Sequence, residues 1–463
     1  MKNANNARLN DMTKGSVLPQ IVLFAIPLFI GNLFQQLYNT ADCFVVGHFL
    51  GKNALAAIGS TSHIIMTVTS FFNGFSTGAQ IVISQTFGSK NIRLLRKSIH
   101  TALASSAIIS LFMTALGLFT SPLILRLIQV PEEVFELANS YLKIYFSGVV
   151  FLIFYNMCAG ILRALGDSRR PLYFLIFSSV VNIILDLVFV IYFNLGIKGA
   201  ALATVISEAI SIIPVLYVLC FTDEVYKVSL KELKIDWPLF IKMLKIGLPG
   251  AISSSITSFS NTFMQKYINF YGASCIAGWA VFGRFDQFRI MLMTSISFAA
   301  TTFVAQNYGA GETIRIKKGI KISVLVSLIV ISFLSVLDLC FADFLSSLFI
   351  SDIESIHYGS LFIRYTALFY IPCAMCMLFS QILRGFGNSI APTIITFSGF
   401  VLLRQTILFV GTKITSSFWL VATAYPVVWI FTAAVMLLYF RRFTIKEKIF
   451  FVNQTASFPN QKL

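Results

Sequence analysis

Long apolar runs separated by short polar breaks recur twelve times along this chain, at approximately 18–46, 54–86, 99–120, 136–158, 171–193, 199–221, 239–270, 274–306, 319–345, 358–382, 392–412 and 417–440. Each is at least the roughly 20 residues an α-helix needs to cross a hydrocarbon core. Several are longer, so tilt or bending is expected. Pro27 and Pro249 hold comparable places near the starts of the first and seventh runs. Each removes a helical N–H and leaves a carbonyl without its usual partner, which predicts a bend there.

The run pattern repeats. Shifted by 221 positions, ILRALGDSRRP (Ile161 to Pro171) falls on ILRGFGNSIAP (Ile382 to Pro392), QTFG (Gln85 to Gly88) on QNYG (Gln306 to Gly309), and Lys97 on Lys318. Apolar residues match by chance in any membrane protein, but Arg, Gly, Ser and Pro in register in a polar loop do not. The even number of spans per half gives both halves the same orientation, related by an axis along the membrane normal. The expected organisation is a six-helix lobe over 1–221, a cytoplasmic linker over 222–238, a second six-helix lobe over 239–442 and a cytoplasmic tail over 443–463. The predicted fold class is all-α integral membrane protein, two six-helix lobes with a central cleft between them suited to alternating access.

Composition agrees: 57% of the 463 residues are hydrophobic and only 12% charged, against about 25% charged in soluble domains. The net charge of +16 sits in alternate short loops rather than on one face, which argues against nucleic acid. Lys2, Arg8 and Lys14, loop 90–97, Arg163 with Arg169 and Arg170, the 227–245 stretch, loop 315–321, Arg384 and the tail (Arg441, Arg442, Lys446, Lys448) share one side. By the positive-inside rule that side is cytoplasmic, both termini included, in the cell (inner) membrane. The first run is full-length and has no convincing cleavage site, so no signal peptide is expected. Cys373 and Cys376 form a C-x-x-C inside an apolar run with no nearby His, and read as packing residues.

Ionisable residues inside the spans are the candidates for chemistry, since charge in hydrocarbon is costly. They are Asp42, Asp186, Glu208, Asp286 and Asp338. Asp42 and Asp186 fall at a similar depth below the outer interface. Asn182 is one turn before Asp186 on the same face, and Thr204 and Tyr141 come to the same level on the sixth and fourth spans. Carboxylate, amide, hydroxyl and phenol from four spans suit a proton or a Na⁺, which takes oxygen ligands. Two carboxylates in one dry pocket would share protons rather than both stay charged. The alternative is that Asp42 reaches the outer interface and Asp186 caps a loop. Glu208 either joins this network or faces the cleft. Asp286, in RFDQFR (Arg284 to Arg289), either neutralises its neighbours or serves the second half, and Asp338 reads as an outer or packing residue. The positions matching Asn182 and Asp186 are Leu403 and Ile407, with Arg404 and Gln405 beside them, so the scaffold is duplicated but the chemistry is not.

The chain resembles the multidrug and toxic compound extrusion family, in its prokaryotic DinF-like branch. The likeness rests on FAIPLFIGNLFQQLYNTAD (Phe24 to Asp42), VGHFLG (Val46 to Gly51), ALAAIG (Ala54 to Gly59), ILRALGDSRRP with VNIILD (Val181 to Asp186), the glycine- and alanine-rich entry to span six (Gly196 to Thr204) and ILRGFG (Ile382 to Gly387). It covers about residues 15–442. The resemblance implies twelve helices in two lobes forming a V-shaped central cleft and cation-coupled export of amphipathic or cationic organic compounds, with Asp42, Asn182, Asp186, Thr204 and Tyr141 as the cation-coupling residues. Glu208, Asp286 and Arg404 have no assigned place in that pattern. Spans seven and ten lack Asp and Glu, unlike branches that couple through the second lobe.

The leading reading is therefore an antiporter driven by H⁺ or, less favoured, Na⁺ at those coupling residues, with no organic cofactor, no metal site beyond that Na⁺, small organic substrates, the lipid bilayer as its surroundings, and function as a monomer. A flippase for a lipid-linked saccharide is the second transport reading, and would require a strongly cationic cleft. A membrane-embedded enzyme is the third. It is disfavoured because the four histidines (His48, His63, His100, His357) are scattered, and no G-x-x-x-x-G-K-[ST] loop exists for ATP.

Overall fold

The computed structural model describes residues 11–414 and 418–447. Lys2, Arg8 and residues 448–463 of the expected tail lie outside them, as does the side chain of His63. The described residues form α1 (Val17–Leu50), α2 (Lys52–Gly88), α3 (Ile92–Leu127), α4 (Glu132–Ala164), α5 (Arg169–Leu187), α6 (Ile197–Cys220), α7 (Trp237–Asn269), α8 (Ala273–Gly309), α9 (Thr313–Ser347), α10 (Ile353–Ala367), α11 (Tyr370–Gly385), α12 (Ile390–Phe397), α13 (Arg404–Ile414) and α14 (Phe418–Lys446), with no strand among them. Eleven long apolar helices and one bent pair make up to twelve spans. Large apolar side chains such as Phe44, Phe112, Phe119 and Phe333 are exposed, as a surface solvated by lipid rather than water requires.

The apolar runs mark each helix, although α3 (Ile92–Leu127) extends beyond its run of 99–120 at both ends, and three local departures have identifiable causes. The tenth span is not continuous: α10 and α11 meet at a 57° bend. Pro372 has no N–H for the Leu368 carbonyl, and the turn instead closes with Ile371 N–H donating to Leu368 O. Ser335 of α9 donates its hydroxyl to the Ala367 carbonyl at the break, 2.5 Å away, so the bend leaves that buried group satisfied. The fifth span ends in a π-helical turn, Val188–Tyr192, directly after Asp186. The eleventh carries one at Ser398–Leu403, between α12 and α13 and directly before Arg404. A π-turn inserts a residue into the helical ladder and rotates the side chains beyond it, which no apolar periodicity announces.

The 221-residue repeat is written into the backbone. Gly51 and Gly272 both take positive φ (80° and 88°), as do Lys90 and Gly311 (57° and 76°) and Gly166 and Gly387 (88° and 93°). The α4–α5 and α11–α12 turns close identically: Asp167 N–H donates to Leu162 O and Gly166 N–H to Arg163 O, while Asn388 N–H donates to Leu383 O and Gly387 N–H to Arg384 O. That pairing is a helix C-terminal motif that needs a left-handed residue, hence glycine in both copies.

The chain packs as two units, and each first helix is shared between them: residues 12–25 belong with Ile252 onward, and residues 26–251 with the first half. The changeovers fall at Ala25/Ile26 and Ala251/Ile252, within two residues of Pro27 and Pro249. In the second unit Arg315 gathers the start of the chain, donating to the carbonyls of Met12, Lys14 and Gly15 and to Gln20 Oε1. Gln306 accepts from Met12 N–H. In the first unit the segment 222–238 packs on α3. There His100 Nε2 accepts from Ser229 N–H, Thr101 accepts from Asp236 N–H, and Lys97 pairs with Asp236 at 3.3 Å. Helices α2 and α7 meet almost backbone to backbone: a Cβ at Gly78 would lie 2.4 Å from Met243 O, and one at Gly74 2.4 Å from Ala251 Cβ.

Candidate functional site

Within the first unit, α1, α4, α5 and α6 each carry two polar side chains one turn apart on one face: Tyr38 and Asp42, Tyr141 and Tyr145, Asn182 and Asp186, Thr204 and Glu208. Asp42 is eight residues from the end of α1, and Asp186 six from the end of the following π-turn. Thr204 is seven from the start of α6, and Tyr141 nine from the start of α4. At 1.5 Å per residue these four sit about 9–14 Å from one end of the bundle. Tyr38, Tyr145, Asn182 and Glu208 lie a turn deeper, about 15–20 Å in.

The upper group and Asn182 below it are sealed: Asp186 is 0% exposed, Asn182 1%, Tyr141 and Thr204 4% and Asp42 8%. Tight packing holds them there. Ser178 donates to Ser207 O at 2.9 Å, tying α5 to α6. Tyr141 and Phe146 of α4 pack in one core with Val46 of α1, Ala57 and Phe72 of α2 and Ala200 of α6. The charge of Asp42 acts on Asp186, and both act on Tyr38 and Tyr141. Glu208 acts on Tyr38 and Tyr145.

The hydrogen-bond accounting is the informative part. Both oxygens of Asp186, both amide atoms of Asn182 and Oδ1 of Asp42 are buried without a hydrogen-bond partner in the protein. Native interiors satisfy almost all such atoms, and a partnerless buried carboxylate costs several kcal/mol unless it is neutralised. A side-chain set left open in this way can be completed by protons on the carboxylates or by a small cation among the oxygens. Thr204 keeps its own proton engaged, donating to Ala200 O at 3.2 Å, which leaves its oxygen lone pairs as acceptors only.

A cavity of about 120 Å³ lies between α1, α4, α5 and α6 of this unit. Arg163 and Ser168 line it at the α4–α5 turn, and Tyr38, Asn182 and Glu208 line its far end. Asp42, Asp186, Thr204 and Tyr141 are not among its lining residues. Tyr38 and Tyr145 went unremarked among the apolar runs, where a tyrosine resembles any core aromatic. The available signal was their four-residue spacing from Asp42 and Tyr141.

The remaining sequence candidates lie in the second unit and do not join this group. Asp286 of α8 accepts from the Tyr370 hydroxyl of α11, so it does more than balance its neighbours in RFDQFR. Asp338 of α9 is buried in an ion pair with Arg289, and Arg289 also stands over the Tyr370 ring, 4.6 Å from its centre. Arg404 donates to Ser260 Oγ at 2.8 Å and lies 5.7 Å from the centre of the Tyr425 ring.

Comparison with known proteins decides the class. Residues 27–188 and 249–410 each match the MatE family, one match per half. This chain belongs to the MatE family. As a member of these multidrug and toxic compound extrusion proteins it is a multi-pass membrane transporter and not an enzyme, which removes the membrane-enzyme reading. Among relatives, the probable multidrug resistance protein YpnP of Bacillus subtilis (strain 168) is 29% identical over 394 residues, covering 85% of this chain and 88% of YpnP. The probable multidrug resistance protein YoeA of the same organism is 29% identical over 391 residues, covering 83% and 84%. The crystal structure of a MATE transporter in the bent conformation superposes with a TM-score of 0.89 at 22% identity, over 95% of this chain and 98% of that one. At that identity the likeness is one of MatE fold. The two MatE matches are equivalent in extent, whereas the partnerless carboxylates occur in the first.

Proposed function

We propose that this chain is a proton-coupled antiporter that exports amphipathic or cationic organic compounds, with Asp42 and Asp186 as the proton carriers and Asn182, Thr204 and Tyr141 completing their site. The observation that carries this reading is the burial of two interacting carboxylates, at one depth, three of whose four oxygens lack partners. Two carboxylates need two positive charges for neutrality. Two protons supply them, whereas one Na⁺ would leave a net negative charge in a dry site. In this reading the end bearing Arg163, Arg169 and Arg170 faces the cytoplasm. The pair loads at the outer side and unloads when the site opens inward, and substrate moves outward on the opposite stroke.

The multidrug names of the two Bacillus relatives support the substrate class. The saccharide-flippase reading gains no support from the second unit. There the buried cations Arg289 and Arg404 are accompanied by Asp338 and Asp286 rather than forming an uncompensated cationic pocket. The test is transport in proteoliposomes with ethidium as the probe, under an imposed pH gradient at equal Na⁺ and under a Na⁺ gradient at equal pH. The first should drive ethidium and the second should not; movement under neither removes the antiport reading.

A further inference from the structure

The cavity of the first unit ends on a layer of side chains that the coupling pair does not include, and Glu208 is the one carboxylate in that layer. Glu208 lines the cavity with Asn182 and Tyr38, one turn below Asp186, Asp42 and its own helix neighbour Thr204. The same cavity is lined by Arg163 and Ser168 at the basic end of the bundle. The upper carboxylates do not line it, so a path from the cavity to them passes through the lower layer. Tyr38 is placed to bridge, because it shares the cavity lining with Glu208 and stands one turn before Asp42 on α1, and the charges of Glu208, Asp42 and Asp186 all act on it. The titratable and charged groups lining this space are Tyr38 from α1, Tyr155 and Arg163 from α4 and Glu208 itself from α6, whereas Asp42, Asp186, Tyr141 and Tyr145 are not in its lining.

We infer that Glu208 is the proton-exchange group between the coupling pair and the basic end of the bundle, with Tyr38 as the relay. This inference rests on the antiport reading above. In the unloading step the O–H bond of a protonated Asp42 or Asp186 breaks as its proton passes to the Tyr38 phenol oxygen. The Tyr38 proton passes at the same time to the Glu208 carboxylate. One proton leaves the pair, one arrives at Glu208, and Tyr38 ends as it began. Glu208 then releases its proton to water in the cavity and returns to carboxylate. A phenol one turn from one acid on its own helix, and at one level with a second acid across the same cavity, is a suitable relay for such a transfer.

The experiment is ethidium transport in proteoliposomes, read in two ways: accumulation driven by a pH gradient, and ethidium-for-ethidium exchange at equal pH. Glu208→Gln should lower driven accumulation by about tenfold or more, the scale on which a positioned acid–base group acts, while leaving exchange within about twofold of wild type. Glu208→Asp should restore driven accumulation in large part, with a displaced pH profile. Driven accumulation by Glu208→Gln within about twofold of wild type overturns the relay. So does loss of both readouts in Glu208→Gln without recovery in Glu208→Asp, which marks a structural role. A wild-type protein that shows no response to the pH gradient overturns the antiport reading and the relay with it. A driven wild type with an equally driven Glu208→Gln overturns the relay alone.

Discussion

Replacing Asp186 by Asn separates charge from shape at the centre of the site. The amide fills the same volume, cannot carry the second proton, and occupies a position that is 0% exposed with neither oxygen partnered. One pH unit is worth about 1.36 kcal/mol per proton. Two protons per cycle therefore deliver about 2.7 kcal/mol and support roughly hundredfold accumulation of a probe, whereas one proton supports roughly tenfold. The variant should consequently lose at least a factor of about ten in the ethidium gradient that proteoliposomes hold at one pH unit. Its folding should not suffer, because a partnerless buried charge is a cost that the amide lacks; the midpoint of thermal unfolding in detergent should equal or exceed that of wild type. Asp186→Asn protein that holds the wild-type ethidium gradient refutes the assignment of the pair.

Three further expectations concern the scaffold. Gly78→Val forces a side chain against Met243 O, where even a Cβ sits at 2.4 Å. It should destabilise by about 1–3 kcal/mol or more and lower the thermal midpoint, whereas Gly59→Ala, where a Cβ meets nothing within 4 Å, should be neutral or stabilising. Gly387→Ala places a Cβ at φ 93° and should cost about 1–2 kcal/mol, read by the same melt; Gly166→Ala at φ 88° should behave alike, as the repeat requires. Arg315→Ala removes the donors that hold the carbonyls of Met12, Lys14 and Gly15, so hydrogen exchange of amides in residues 11–20 should rise by at least about tenfold, the equivalent of 1.4 kcal/mol of local protection, while α10 amides stay unchanged.

The bilayer makes much of this fold legible, since its thickness sets how long an apolar run must be, and the helices follow the runs closely. The repeat was legible because its signature residues serve backbone geometry: Gly166 and Gly387 sit at left-handed positions that tolerate little else. The break at Pro372 and the π-turns beside Asp186 and Arg404 were not legible, because a proline or a glycine in an apolar run does not say whether the helix bends, breaks or rewinds. The burial of Asp42, Asp186 and Asn182 at neighbouring levels was legible from spacing and depth. The ion pair of Asp338 with Arg289 and the bond from Tyr370 to Asp286 join helices distant in the chain, and no pattern within one helix encodes them. Tyr38 and Tyr145 were hidden by their chemistry, since a phenol belongs equally well in a core, at an interface or in a proton path.

The most direct test of coupling at the Asp42–Asp186 pair is a proton count: protons moved per ethidium in proteoliposomes of the wild-type protein, by a trapped pH dye alongside ethidium fluorescence at equal Na⁺ on both sides. Two titrating carboxylates predict a ratio approaching two, falling in Asp42→Asn and Asp186→Asn. Ethidium movement with no accompanying proton movement in the wild type would contradict the account.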